Sequence, residues 1–381
     1  MHDRKIMNIR ARFPILSEKV YLNSCSKGAL SVDVKDAYQA YLRDWQEQGS
    51  PWELWVGKLE ATRQAFAALV NASAEEVAVT TSVSAAVSTL ASALDFRGRR
   101  NKVVVTDFAF PTTAQIWHAQ EQRGAQVVHV AAAGNEIPLE RLAEAIDEET
   151  LLVSISHVCY RNGVKQDVPS IVKLARQQGA LLLLDSYQTL GTMPVDVHKL
   201  GVDFLVGGAL KYLLGSSGLA FLYARHELIP QLSPSLTGWF AQADIFAMDI
   251  YHHRPAPAAR RFETGTPSIP NLYAALAGID LIRALGVEKI EARIQELTAA
   301  IKAEARRCGY ELVSPADPNR HGALITVRSH DVELLVTRLA EEDIITSSRD
   351  GNLRISPHAY NDEQDVSRLM ECLAQQRDLL F

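Results

Sequence analysis

Cysteine is scarce in this 381-residue chain, which has four: Cys25, Cys159, Cys308 and Cys372. None stands in a Cys-x-x-Cys pair, which excludes a disulfide scaffold and argues against a structural zinc site. A basic surplus is missing too, with 39 Lys+Arg against 45 Asp+Glu and a formal net charge of −6. Such a chain lacks the electrostatic footprint of a general nucleic-acid binder. No apolar run nears the roughly 20 residues that a membrane helix needs, and Leu181–Leu184 stops at Asp185. The N-terminal Met1-His-Asp-Arg-Lys5 is charged, with no secretory apolar run after it. No Gly-x-Gly-x-x-Gly turn follows a strand pattern, which disfavours a nicotinamide-dependent oxidoreductase. Internal repeats and low-complexity tracts are also absent. What remains, 47% hydrophobic and 22% charged residues, is the composition of a globular chain with a large core. The expectation is a cytoplasmic enzyme acting on a small molecule, with no metal, membrane or nucleic acid as partner.

From about residue 75, short β-branched runs alternate with helical patterns. Strands are expected at Val77–Thr81, Lys102–Thr106, Gln126–Val130, Leu151–His157, Ala180–Asp185 and Phe204–Gly207. Helices are expected at Ser84–Leu94, Thr112–Arg123, Leu139–Ile146 and Val168–Gln178. Fully apolar runs such as Leu181–Leu184 suit strands covered on both faces. Repeated strand–helix units predict an α/β fold with a mainly parallel sheet and right-handed crossovers. Ligands of such sheets sit beyond the carboxyl ends of the strands. Arg254-Pro-Ala-Pro-Ala-Ala-Arg260 has the composition of a linker, and Ile269–Arg307 after it is dominated by a helical pattern. The tail reads as strands at Glu311–Ser314, Ala323–Arg328, near Ile345 and at Leu353–Ser356, with helices at Val332–Glu341 and Asp362–Gln375. The expected division is an arm over 1–20, a large domain over 21–255 and a small α+β domain over 256–381.

One lysine stands out. Lys211 lies in an apolar, glycine-punctuated run, Asp203-Phe-Leu-Val-Gly-Gly-Ala-Leu-Lys-Tyr-Leu-Leu-Gly. Burial there would destabilise the ammonium, lower its pKa and make the amine a nucleophile toward an aldehyde. Upstream, Asp185-Ser-Tyr-Gln188 ends the apolar strand. A carboxylate at that place can pair with a protonated pyridine nitrogen, and Gln188 can return to the same side and donate to a phenolate oxygen. Thr80-Thr-Ser-Val-Ser-Ala-Ala86 joins a strand to a helix, and a helix N-terminus suits an anion.

The ordered set runs from Tyr21-Leu-Asn-Ser24 through Asp185-x-x-Gln188, Lys211 and Gly265-Thr266 to Leu353-Arg-Ile-Ser-Pro-His-Ala-Tyr-Asn361. It resembles the class V aminotransferase superfamily of pyridoxal-phosphate (PLP) enzymes, fold type I, which includes cysteine desulfurases, kynureninases and isopenicillin-N-epimerase-like proteins. The resemblance implies a large domain with a seven-stranded-type sheet between helices, and a homodimer with shared active sites. Lys211 would hold PLP covalently and move the Cα proton, Asp185 would pair with the pyridine nitrogen, and Gln188 with the ring hydroxyl oxygen. Ser82, the Val83 N–H and Ser84 would take the phosphate, joined by Thr266 from the partner subunit. Phe110, in Phe-Pro-Thr112, would lie on the ring where desulfurases carry histidine, with His157 nearby. Arg354 would bind the substrate α-carboxylate, with Tyr160 and Asn23 on the substrate side.

Two departures matter. Relatives often carry a hydroxyl or histidine just before the lysine, whereas Gly208, Ala209 and Leu210 stand here. A persulfide-forming desulfurase needs a cysteine on the loop before the arginine strand, and Ile345-Thr-Ser-Ser-Arg-Asp-Gly-Asn352 has none. The expectation is therefore an L-amino-acid aminotransferase or C–S/C–C lyase working without a persulfide cysteine. Epimerisation and a non-catalytic PLP-fold protein are the alternatives.

Overall fold

A computed structural model describes residues 9–381, so the charged Met1–Lys5 stretch lies outside the described residues. The strands are β1 (Val20–Tyr21), β2 (Val77–Thr80), β3 (Lys102–Thr106), β4 (Gln126–Val130), β5 (Thr150–Ser156) and β6 (Leu181–Asp185). They continue with β7 (Phe204–Gly208), β8 (Ala220–Ala224), β9 (Ile325–Arg328), β10 (Ile344–Ile345), β11 (Ser347–Arg349) and β12 (Asn352–Ile355). The helices are α1 (Val32–Gln48), α2 (Trp52–Leu69), α3 (Val83–Ala93), α4 (Pro111–Ala119), α5 (Leu139–Ala145) and α6 (Val168–Gln177). After these come α7 (Val197–Leu200), α8 (Ile269–Leu285), α9 (Val287–Cys308), α10 (Val332–Glu341) and α11 (Glu363–Gln375).

Seven strands form the main sheet in the order β2-β8-β7-β6-β5-β3-β4. All its pairings are parallel except those of β8, which runs antiparallel to both neighbours. Side chains of a strand alternate between faces, and the core divides accordingly. Val104, Leu182, Leu184 and Leu205 pack with Phe66 of α2, Ile171 of α6 and Ile279 of α8. Val103, Val105, Leu183 and Val206 point the other way, onto Leu90 of α3 and Trp117 of α4. Covered faces explain why these strands read as unbroken apolar runs.

The smaller sheet, β11-β12-β9, is antiparallel and packs with α9, α10 and α11 around Leu297, Leu335, Leu353 and Leu369. The short pair β1–β10 is parallel and ties the start of the described chain to this unit. The described part of the arm seats Ile9, Phe13 and Leu16 against Tyr212, Leu281 and Tyr360. Arg10 there grips both carboxylate oxygens of Asp365, at 2.7 and 3.0 Å.

Several expectations are corrected. The Arg254–Arg260 stretch is packed rather than a free linker: Ala256 and Ala259 are fully buried and Arg260 donates to the Phe240 carbonyl at 2.8 Å. Helix α8 lies beyond the boundary expected at 256 yet packs on α1 and α2 within the main core, and we propose Gly286 as the division instead. That glycine, at φ 86°, splits the expected long helix into α8 and α9. Glu311–Ser314 forms a single bridge, Leu312 to Val327, rather than a full strand; it lies on the free edge of β9, where Val313 donates to the Thr326 carbonyl at 3.0 Å and Arg328 to that of Glu311 at 2.9 Å. Ile345 pairs with β1 rather than with the arginine strand. Strand β8 and helices α1 and α2 had no expectation attached to them.

Strand β2 is an edge, and its outward backbone groups need partners. Two buried side chains supply them: Arg63 donates to the Val77 carbonyl at 2.8 Å, and Glu263 accepts the Val79 N–H at 2.8 Å. Arg63 and Glu263 also form an ion pair, which anchors the segment leading to Thr266. Glu263→Ala would leave both a buried guanidinium and a backbone N–H short of a partner. It should cost about 3 kcal/mol of stability, read as a fall in the urea midpoint with an unchanged slope.

Candidate active site

The carboxyl ends of β5, β6 and β7 lie level, since Ser156 is opposite Asp185 and Asp185 opposite Val206. His157, Asp185 and the Gly208–Lys211 turn therefore leave the sheet at one edge. Asp185 is buried, with Oδ1 accepting the Tyr187 N–H at 3.0 Å. Burial pushes its pKa up, against the pull of the Tyr187 N–H and Lys211. Among the described residues no basic side chain forms an ion pair with it. A buried carboxylate without a paired cation fits a ligand that brings its own N–H⁺, as a protonated pyridine does.

Lys211 is half-buried, and its Nζ lies 4.3 Å from the Tyr187 ring centroid and 5.7 Å from that of Phe110. Desolvation lowers its pKa to about 8, with Asp185 and Cys25 opposing the shift and Arg354 adding to it. The backbone around it is clamped by three glycines from distant segments. A β-carbon on Gly28 would stand 2.4 Å from the Lys211 carbonyl oxygen, one on Gly191 2.4 Å from that of Tyr212, and one on Gly278 2.3 Å from that of Leu213. Only residues without a side chain allow so close an approach.

Gln188 is buried beside them; its Nε2 donates to the Cys25 carbonyl at 3.1 Å while Oε1 has no partner. At the start of α3, Ser82 caps the helix by accepting the Ala85 N–H at 3.0 Å, and Ser84 shares a hydrogen bond with Thr112 at 2.8 Å. The Val83 and Ser84 N–H groups precede the helical ladder and remain available to an anion. Phe110 is exposed and meets the Tyr160 ring edge-on at 5.0 Å.

Arg354, buried on β12, reaches this edge from the small unit. It donates to the Tyr160 carbonyl at 3.1 Å and to Ser26 Oγ at 3.0 Å, and its Nε has no partner. Asn23 bridges to Ser356 just after β12, which places the Asn23–Ser26 turn beside Arg354. Two expected residues stand apart. His157 is buried, donates its N–H to the Asp185 carbonyl at 2.8 Å, and lines a separate cavity of about 700 Å³ with Ile137, Lys165, Gln166 and Ile171. Burial, and secondarily Lys165, lower its pKa to about 4, so it is neutral. Thr266 is exposed on the loop before α8.

Sequence reading missed Tyr187, Cys25, Ser26 and Ser347. The Cys25 thiol lies 3.9 Å from Asn23 Oδ1 and from the Oγ of Ser347, which belongs to the cysteine-free loop before β12. No sequence signal joins residues so far apart along the chain.

With a lysine, an unpaired carboxylate and an inward arginine on one edge, the comparisons with known proteins become decisive. The sequence matches the class-V aminotransferase family over residues 20–369. The chain belongs to that family. It is a PLP-dependent enzyme. A curated relative, the uncharacterized aminotransferase YcbU of Bacillus subtilis, is 34% identical over 96% of each chain. A kynureninase of Geobacillus thermodenitrificans is 25% identical over 98% of this chain and 92% of its own. Among solved structures, a lysine-to-alanine variant of C-DES with glycine covalently linked to the PLP cofactor superposes with a TM-score of 0.89. It is 21% identical, over 96% of this chain and 98% of that one. The apo cysteine desulfurase of Thermococcus onnurineus shares the fold at a TM-score of 0.88, with 22% identity over 97% of each chain. The class-V fold thus accounts for the mainly parallel sheet and the edge on which these residues meet. Among the described residues no helix is long and apolar enough to cross a membrane, and no cluster of three or more His, Cys, Asp or Glu could hold a metal.

A lowered amine pKa has a direct consequence. In the cofactor-free protein, labelling of Lys211 by a small aldehyde plus hydride donor should rise with pH until about 8 and level off above it. Peptide mass measured against pH checks this; a plateau near the ordinary lysine value of 10.5 would contradict the burial argument.

Proposed function

We propose that the enzyme works at the α-carbon of an L-amino acid, as an aminotransferase or a C–S/C–C lyase, without a persulfide cysteine on the loop before β12. The observation that carries this reading is Arg354, a buried guanidinium with an unpartnered Nε on the same edge as Lys211. A planar, permanently charged fork suits an α-carboxylate, while the α-amine meets the cofactor at the lysine. Bound PLP supplies an electron sink for the charge left when a bond to the α-carbon breaks. The chain's own groups do the rest. Lys211 holds the cofactor between turnovers, and its amine, neutral above about pH 8, takes the Cα proton. Asp185 would keep a proton on the pyridine nitrogen, Gln188 would donate its second Nε2 hydrogen to the ring oxygen, and the Val83 and Ser84 N–H groups would hold the phosphate at the α3 dipole. Phe110 would cover the ring, and Tyr160 and Ser26, which accept from Arg354, set its orientation. His157 acts through its backbone bond to Asp185 rather than by touching the cofactor.

The expected test is a panel of L-amino acids with and without a keto-acid acceptor, followed by product mass. Keto-acid-dependent turnover selects transamination; ammonia with a cleaved side chain selects a lyase. Arg354→Ala should raise KM and lower kcat together, since the carboxylate also orients the bond to be broken. Asp185→Ala should slow turnover by orders of magnitude. A second reading, sulfur transfer through a thiol, draws on Cys25. It would replace the first if Cys25→Ala abolished turnover of cysteine that Arg354→Ala left intact.

We also infer a homodimer with shared sites, in which Thr266 serves the partner's phosphate. Its exposure supports this, as does a neighbouring loop that presents Phe246, Met248, Ile250 and Tyr251 to solvent. Sedimentation should give a dimer, and a fully active monomer would refute the inference.

A further inference from the structure

The three residues before Lys211 offer the site no polar side chain, yet the space over Gly208 is not empty. A β-carbon on Gly208 would lie 2.4 Å from the Tyr187 phenol oxygen and 2.5 Å from its Cζ. Tyr187 therefore puts a hydroxyl where a side chain of residue 208 would project. The place matters because of strand order. Thr80 pairs with Ala220, and Ala220 with Gly208, while Asp185 lies on the next strand opposite Val206. Strands are spaced by about 4.8 Å. Gly208 thus stands one strand from Asp185 and two from Thr80, whose chain runs directly into the α3 N-terminus. The phenol sits between the carboxylate suited to the ring nitrogen and the N–H groups suited to the phosphate. A phenol hydroxyl carries one proton that it can donate to an anion. Burial, with Asp185 adding, raises the phenol pKa to about 12 and keeps that proton in place.

We propose that Tyr187 is a cofactor-phosphate ligand, its hydroxyl replacing the polar side chains missing from Gly208-Ala-Leu210. The proposal rests on the reading that the α3 N-terminus receives the phosphate. Gly208 and Tyr187 then form a reciprocal pair, because the glycine leaves the room that the phenol occupies.

Binding of PLP and of pyridoxal, which lacks the phosphate, to the cofactor-free full chain separates the possibilities. Tyr187→Phe keeps the ring and removes only the hydroxyl. It should weaken PLP binding about tenfold, the loss of one hydrogen bond to a charged group, and leave pyridoxal binding unchanged. Gly208→Ser alone should weaken PLP, since its side chain meets the phenol. Added to Tyr187→Ala, the same serine should restore affinity toward the parent value, which a merely structural tyrosine would not allow. Equal loss of PLP and pyridoxal in Tyr187→Phe, or no loss of either, overturns the proposal. Val83→Pro tests the α3 reading separately. Proline suits the first helical position after the extended Ser82, at ψ 161°, and removes one N–H. PLP affinity unchanged in Val83→Pro but weakened in Tyr187→Phe would fault the α3 reading and uphold Tyr187.

Discussion

A desolvated amine and a buried carboxylate share one sheet edge, close enough to feel each other's charge and too far apart to pair. Were Lys211 and Asp185 to close into an ion pair, each would satisfy the other and neither would be left for a ligand. Their separation is built into the backbone. Asp185 is fixed by the Tyr187 and His157 N–H groups, and Lys211 follows β7 on a turn that three glycines pin. The Tyr187 ring beneath Nζ offers the cation a partial substitute for water. Two uncompensated groups make the edge costly as it stands, and a ligand with a protonated ring nitrogen and an aldehyde answers both.

The proposed substrate side depends on a different join. Arg354 belongs to the small sheet, but the groups that steer it, the Tyr160 carbonyl and Ser26 Oγ, come from the loop after β5 and the turn after β1. That loop is itself docked on the small unit: Gly322 donates to the Gly163 carbonyl at 2.9 Å and Ser314 to that of Asn162 at 2.8 Å. A shift of one unit against the other would carry the arginine and its guides together, so its orientation among them is kept.

Much of this was legible in the sequence, for reasons that differ by element. Strands β3 to β7 could be read because burial on both faces leaves an uninterrupted apolar run. Lys211, Asp185 and Arg354 could be found because each breaks an apolar pattern with a charge. The antiparallel β8 was missed, since Ala220–Ala224 follows a glycine-rich turn with no helix between it and β7. The Arg254–Arg260 stretch reads as a linker because proline and alanine do not reveal packing, yet Ala256 and Ala259 are buried. Cys25, Ser26 and Tyr187 were illegible for a stricter reason: their neighbours at the site come from remote parts of the chain, and no local spacing encodes those meetings. His157 was placed on the right edge but its ring turns to another cavity, a choice made by side-chain packing alone.

The glycine clamp around residues 211–213 bears on how the protein is made. Gly28, Gly191 and Gly278 come from the beginning, the middle and the end of the large unit, and each abuts a successive carbonyl of one turn. Contacts of such long sequence separation are entropically expensive to close and tend to form late. The turn carrying the lysine can take its final shape only when almost the whole unit has been synthesised and collapsed. On the proposed role of Lys211, capture of the cofactor aldehyde becomes a natural checkpoint, and a chain truncated before α8 would hold all seven strands of the main sheet yet lack a properly set lysine.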